Sequence, residues 1–382
     1  MIIQLFSCEK DSDVSSLNDS NYDLTQENLE TLQEGIIFPD ENIEGLKSST
    51  NANKKIKNIQ VIRNDNNDNL MYVINFKNGG FIIYSADKRA KPIRAFSLKG
   101  EFNTDNTKFN SGLKDWYKLN IDVIDNLKKS NIEQSEEMKI AWKKQSIQNL
   151  FNSSAKLAQK APDPELEPLD PLDDSYCTDY YKTVGPLIGT AWYQSGSFND
   201  ALNSSYNCET ADPEPPVGCV AIAIGQIMYY HKHPSSYNWS SMSLTSGTTE
   251  TQILLKEIGD AVNMHYDCDG SWAYTWKIDN AFTGHFSYSS AVKQDYTWSA
   301  VVQELNWGKP VLLSGSTNRL GTKGHAWVCE GYIRSSTCIE RYSGVWLYMN
   351  WGWGSSRNGY YTFDAPNGSN YQYNQNMFKI RE

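Results

Sequence analysis

The sequence is short of histidine, of positive charge and of long apolar runs. Only five histidines occur in 382 residues, so chemistry that needs an imidazole has few places to be. Lys and Arg number 35 against 45 Asp and Glu, a formal net charge of −10. Phosphate binding needs a basic surface, so nucleic acid is excluded as a partner. No apolar stretch approaches the ~18–20 residues that span a bilayer. The seven cysteines include no Cys-x-x-Cys pair, and His325 with Cys329 and Cys338 matches no common zinc spacing, so neither a metal nor an organic cofactor is expected. Aromatic residues, by contrast, are plentiful: 12 Trp and 23 Tyr, within 39% hydrophobic and 21% charged residues. That is a globular composition, in a chain long enough for two domains.

Four segments can be drawn. Residues 1–30 begin with "MIIQLFSCEK", in which Leu5-Phe6-Ser7-Cys8 resembles a bacterial lipoprotein box, followed by a polar, acidic tether. Export is expected on this ground, to the extracellular space or the bacterial cell surface, with membrane attachment only through a lipidated Cys8. Residues 31–158 read as a small α+β unit. It has a hairpin of Met71 to Phe76 and Phe81 to Tyr84 around Gly79-Gly80. A helix follows, with Trp116, Leu119, Val123 and Leu127 on one face. Residues 159–174, "QKAPDPELEPLDPLDD", hold four prolines and six acidic residues, which leaves an extended linker open to proteolysis. Residues 175–382 form the second domain, again α+β, and contain all five histidines.

The chemistry concentrates in that second domain. "PPVGCVAIAIGQIMYYHKHP" is a helix apolar on nearly every side, hence buried. Two prolines halt regular structure before it, Gly218 permits a sharp entry, and Cys219 falls in its first turn. There the unsatisfied N–H groups and the helix dipole can lower a thiol pKa and could also hold an oxyanion. A small buried structural cysteine fits the same stretch. His231 and His233 lie on this helix some 18 Å from Cys219, too far to serve it. His265 and His285 sit in Asp-, Ser- and Gly-rich loops.

His325 heads an alternating strand whose one face reads His325, Trp327, Cys329. If the next strand, "VWLYMNWGWG", pairs with it about a turn near 337–338, positions summing to about 675 face each other, which sets Asn350 opposite His325. An amide there could fix the imidazole tautomer, with Trp351 shielding the bond. Upstream, Gln194 in "GTAWYQSGSFND" offers an amide donor for an oxyanion.

Taken together, Trp192-Tyr193-Gln194 with Phe198-Asn199, "GCVAIAIGQIMYYHKHP", "GHAWVCEGY" and "NWGWGSSRNGYY" resemble, in order and separation, the streptopain family of papain-like cysteine peptidases. "GGFIIYSADKRAKPIRAFS" resembles that family's inhibitory propeptide. The resemblance implies an α+β papain-like domain, a central helix packed on an antiparallel sheet, preceded by a small α+β prodomain. It implies Cys219 as nucleophile, His325 as general base and acid, Gln194 as oxyanion donor, and Asn350 and Trp351 as supports for His325. Gly324 and Gly218 would line the cleft, and "MHYDCDGSWA" (264–273) its specificity rim. The implied partners are protein or peptide substrates and the chain's own prodomain, and the implied product is an endopeptidase made as a zymogen. Two other readings of the same residues are an inactive papain-fold binding or adhesin protein and a Cys-His amidase or acyl transferase.

Overall fold

A computed structural model describes residues 22–33, 55–105, 111–143, 180–202, 206–209, 213–316, 324–337, 342–355, 357–362 and 373–382. Gly79 and Gly80, with φ of 79° and 95°, turn strand β2 (Asn69–Phe76) into β3 (Phe81–Ser85). Glycine has no Cβ to forbid that left-handed backbone. β1 (Ile56–Arg63) and β4 (Ile93–Ser97) flank the hairpin, so the N-terminal region presents four antiparallel strands. Both central strands are buried on both faces, which explains their continuous rather than alternating apolar runs.

Helix α1 (Gln26–Gln33) precedes these strands, and α2 (Ser111–Lys128) and α3 (Glu136–Ala141) follow them. Two expectations need correction here. The tether does not extend to residue 30. Leu24 and Leu29 are buried in the N-terminal core, and Tyr72 Oη donates to the Leu24 carbonyl at 2.8 Å. Two leucines in a polar stretch are too sparse a pattern to predict docking. The helix of residues 111–128 also turns a different face inward. Leu113, Trp116, Tyr117, Asn120 and Ile124 are buried, whereas Leu119 and Val123 are only partly so. A buried Arg94 draws Asn120 inward, its Nε donating to Asn120 Oδ1 at 2.6 Å, and this polar pair outweighs the apolar pattern. Cys8 and the linker 159–174 lie outside the described residues.

In the C-terminal region β5 (Tyr180–Val184), helix α4 (Cys219–His231) and α5 (Thr249–Ala261) come first. β6 (Ser290–Asp295), α6 (Trp298–Asn306) and β7 (Val311–Ser316) follow. The chain ends with β8 (Gly324–Thr337), β9 (Tyr342–Asn350), β10 (Gly359–Tyr361) and β11 (Tyr373–Arg381). The strands run β1-β2-β3-β4-β10-β9-β8-β7-β11-β6, with β5 also on β8. Every described pairing is antiparallel. The two regions share this one sheet, because Tyr360 and Tyr361 of β10 pair with Phe96 and Ala95 of β4.

That sheet carries α4 and α5 on one face and α2 and α6 on the other. Ala326, Val328 and Leu312 meet the buried side chains of α4, while Trp327, Cys329 and Leu313 meet Trp116, Val301 and Leu305. Among the described residues no helix is long and apolar enough to cross a membrane.

Candidate active site

Helix α4 starts at Gly218, whose φ of 88° only glycine adopts cheaply. A Cβ there would sit 2.7 Å from Met264 Sδ and 3.3 Å from the Ser271 carbonyl. This glycine lets Cys219 enter the first turn while residues 264–271 close over the chain just before it. Val220 to Met228 are all buried, so the axis of the helix is fixed by packing. Val217 N donates to the Gln194 carbonyl at 2.8 Å, tying the Gln194 segment to the turn before the cysteine. Gln194 itself is buried.

Cys219 is free and partly exposed as a residue, yet burial around its sulfur pushes the thiol up. The N–H groups of Ala326, Val220 and Cys219 itself pull the other way and do not prevail. The expected lowering at a helix N-terminus is therefore not realised in this state. No imidazolium stands beside the sulfur to offset its desolvation.

The imidazole of His325 is on the other side of β8. Side chains alternate along a strand; Ala326, against Cys219, faces α4, so His325 faces α2. His325 is buried and stacks on Trp327 with ring centres 5.8 Å apart. Trp351 lies near-parallel at 6.4 Å, and His325 Nε2 donates to the Trp351 carbonyl at 3.2 Å. Burial lowers its pKa to about 4, against the favourable pull of that carbonyl. From Trp351 the aromatic contacts continue to Tyr361 at 5.3 Å and on to Trp116 of α2 at 4.9 Å. The N-terminal region thus reaches the histidine through two intervening rings.

The register assumed between the last long strands is wrong by three. Val328, not His325, pairs with Asn350, and His325 pairs with Gly315 of β7. Asn350 makes no hydrogen bond to the imidazole. Its Nδ2 donates to the Thr190 carbonyl at 2.8 Å and to Glu330 Oε1 at 3.0 Å, and its Oδ1 accepts from Gly352 N at 3.3 Å. The acceptor that fixes the ring tautomer is instead a backbone carbonyl, that of Trp351. A bulge between Cys329 and Gly331 further breaks the simple count. Gly324, at the exposed start of β8, faces Ser316. Gly354 N donates to the Trp192 carbonyl at 3.0 Å, and Tyr193 meets Trp353 edge-on, so the first and last motifs lie side by side.

Glu330 was not singled out by sequence reasoning. It is a buried carboxylate whose Oε2 accepts from Ile188 N at 2.5 Å and whose Oε1 accepts from Asn350. Burial holds it up to about 8, with both donors opposing. Thr190, whose carbonyl Asn350 holds, donates its hydroxyl to Gln226 of α4 at 2.8 Å. This network links β8, β9 and the central helix behind the cysteine. Its one sequence signal is an acidic residue inside an otherwise uncharged stretch, "HAWVCEGY". Residues 264–270 are tied to the chain before the cysteine by the disulfide Cys208–Cys268.

A partly exposed cysteine at the head of a buried central helix, flanked by a strand that carries histidine, on an antiparallel sheet, defines a thiol peptidase of papain-like build. Comparison with known proteins points the same way. Residues 192–248 and 235–361 match the Peptidase C10 family, and residues 42–122 match the Spi protease inhibitor. Streptopain of Streptococcus pyogenes is 25% identical over 349 residues, covering 78% of this chain and 75% of that protein. Thiol protease/hemagglutinin PrtT of Porphyromonas gingivalis is 22% identical over 335 residues, covering 75% of this chain and 33% of that protein. The solved structure of a fragment of Prevotella intermedia prointerpain A superposes with a TM-score of 0.56 at 22% identity, covering 84% of this chain and 98% of that one. The chain is a cysteine peptidase whose residues 192–361 match the C10 family and whose residues 42–122, ahead of them, match an inhibitor-type propeptide.

Proposed function

We propose that the chain is an exported endopeptidase precursor that cuts peptide bonds through a thioester on Cys219, with His325 as general base and acid. In this reading residues 31–158 are the inhibitory prodomain, 159–174 carry the activation cut and 175–382 are the peptidase. Export through the segment around Cys8, with a lipid on that residue, belongs to the same proposal. The observation that carries the reading is the adjacency of the two groups across one backbone step. The Cys219 sulfur lies against Ala326 N–H, and the next residue back is His325.

In the precursor the imidazole is held on the α2 side by Trp327, Trp351 and, through Tyr361, by Trp116. Removal of α2 with the prodomain frees the first residues of β8 to turn the ring toward the sulfur. There the imidazole takes the thiol proton, and the ion pair lowers the thiol pKa that burial now holds up. The thiolate attacks the substrate carbonyl; N–H groups at the head of α4 and the Gln194 amide donate to the oxyanion. The imidazolium gives its proton to the leaving amine, and the thioester is then hydrolysed by a water the imidazole activates. Asn350 acts through Gly352 and Glu330 on the loop that carries Trp351, and Gly218 and Gly324 border the cleft with bare backbone.

The test is Cys219→Ala. Wild type is expected to shorten by roughly its N-terminal region and to degrade a protein substrate, and the variant to do neither unaided. Undiminished cleavage by the variant, or an epoxysuccinyl thiol reagent that labels another cysteine in the shortened form, would remove Cys219 from the nucleophile's role.

A further inference from the structure

The stretch Ser271 to Trp276 has its polarity inside out. Ser271 is buried, Ala273 packs against the core and Thr275 is half-buried, while Trp272, Tyr274 and Trp276 stand exposed at 46%, 54% and 61%. An alternation that runs from the extended Ser271–Tyr274 into the 3-10 turn Thr275–Lys277, burying small residues and leaving the large rings in water, forgoes stabilisation that the opposite phase would have supplied. The rings also touch one another. Trp272 lies parallel to His265 at 4.3 Å, Tyr274 meets Trp272 edge-on at 5.3 Å, and Trp276 stacks on Tyr274 at 6.1 Å. Such a contiguous exposed aromatic row marks a binding surface.

Its base is built into the active site. Ser271, directly before Trp272, presents its carbonyl to Gly218, and Met264, directly before His265, covers the same glycine. His265 and Trp272 exchange both backbone hydrogen bonds, at 2.8 and 3.0 Å. The disulfide Cys208–Cys268 pins the intervening turn to the segment that leads into Cys219. The row therefore starts one residue from the head of helix α4 and runs outward from it.

We infer that Trp272, Tyr274 and Trp276 extend the substrate cleft and hold apolar side chains at alternate positions of an extended polypeptide, away from the bond that is cut. An extended chain repeats its side chains on one face every ~6.6–6.8 Å, a little more than the 5.3 and 6.1 Å between successive rings, so neighbouring rings can meet alternate side chains. The inference rests on Cys219 being the nucleophile of a peptidase, since that makes an extended polypeptide the occupant of the cleft.

The experiment compares the activated enzyme on two substrates with the same residues around the cut bond. One is short; the other is lengthened on both sides with leucine at every second position. Replacing Trp272, Tyr274 and Trp276 together by alanine is expected to lower the long-to-short ratio of kcat/KM about tenfold, through KM. Trp307→Ala removes an equally exposed ring at the end of α6, on the other face of the sheet, and is expected to leave that ratio at its wild-type value. An unchanged ratio in the triple variant, or an equal loss on both substrates, overturns the inference.

Binding is measured separately on the full-length Cys219→Ala chain, by titrating the uncut long peptide against tryptophan fluorescence. The same peptide is expected to bind about tenfold more weakly when the three rings are absent. Saturable binding of a soluble cello-oligosaccharide to the rings, with none by the peptide, overturns the inference in favour of a glycan platform. If wild type were inactive and Cys219 unreactive while the peptide still bound through the rings, the peptidase reading would fail and the binding surface would stand.

Discussion

The two faces of strand β8 differ in what they hold and in how firmly. On the α4 face, Ala326 and Val328 pack into a core supplied wholly by the C-terminal region. On the opposite face, His325, Trp327 and Cys329 meet a core that includes Leu113, Trp116 and Ile124 of α2, from the N-terminal region. The Cys219 face is thus complete without the N-terminal region, whereas the face that holds the histidine is finished by it. A core shared between a permanent and a removable part can be dismantled by one cut, and a core made by one part cannot. Under the proposed function, this difference is a physical basis for storing a peptidase in an inactive state.

The comparison can be broken most directly at Trp116. Truncating this fully buried ring to alanine removes the edge contact to Tyr361 and is expected to cost about 3–5 kcal/mol of precursor stability. A denaturant melt of the Cys219→Ala precursor checks it, and the same change should speed shortening of a chain with Cys219 intact. A precursor that lost this stability yet matured no faster would uncouple α2 from His325.

Acid probes the same face. His325 has its folded pKa lowered to about 4, from the ordinary 6.5. Below ~6.5 the unfolded chain takes up a proton that the folded chain refuses, so the contribution is whole above that pH and is lost as pH falls toward 4. Its size is about 3 kcal/mol. His231, also lowered to about 4 by burial, acts in the same direction, and Glu330, held up to about 8, acts oppositely between ~4.5 and 8. Melts of the Cys219→Ala precursor from ~pH 7 to 4, with and without His325→Asn, separate them: the second variant should lose less stability on acidification. Equal slopes would mean that the imidazole is not held neutral in the folded state.

On the other face the smallest effect is expected at Gly218. Gly218→Ala puts a Cβ against Met264 on a backbone that disfavours it, costing about 1–3 kcal/mol. Because the strain falls one residue from Cys219, alkylation of the thiol should slow as well. Normal stability with normal alkylation would show that the head of α4 tolerates a side chain.

Much of this was legible because it is local. The all-round apolarity of residues 220–228 made α4 a buried helix, Gly79-Gly80 made a hairpin, and the place of His325 after a glycine at the head of an alternating strand singled it out. Trp351 was marked for the right neighbour: its ring lies beside the imidazole, and its carbonyl takes the bond that had been assigned to the Asn350 amide. The misreadings are all tertiary. The β8–β9 pairing centres near 339–340 rather than 337–338, and with the one-residue bulge at 329–331 this leaves the register three from the assumed one; the buried Arg94–Asn120 pair rotated the inward face of α2. Leu24 and Leu29 docked a segment whose composition is that of a tether. Glu330 escaped notice because a single acidic residue in a strand does not announce whether it is buried.

What the sequence by itself determined, then, was the set of chemical groups and the elements that carry them, since periodicity and turn residues act within a few positions of the chain. Which face of β8 the imidazole takes, and whether the sulfur is a thiolate, only the tertiary structure decided. Those depend on what packs against the strand from the far end of the chain: Trp116 and Tyr361 on one side, Cys219 on the other.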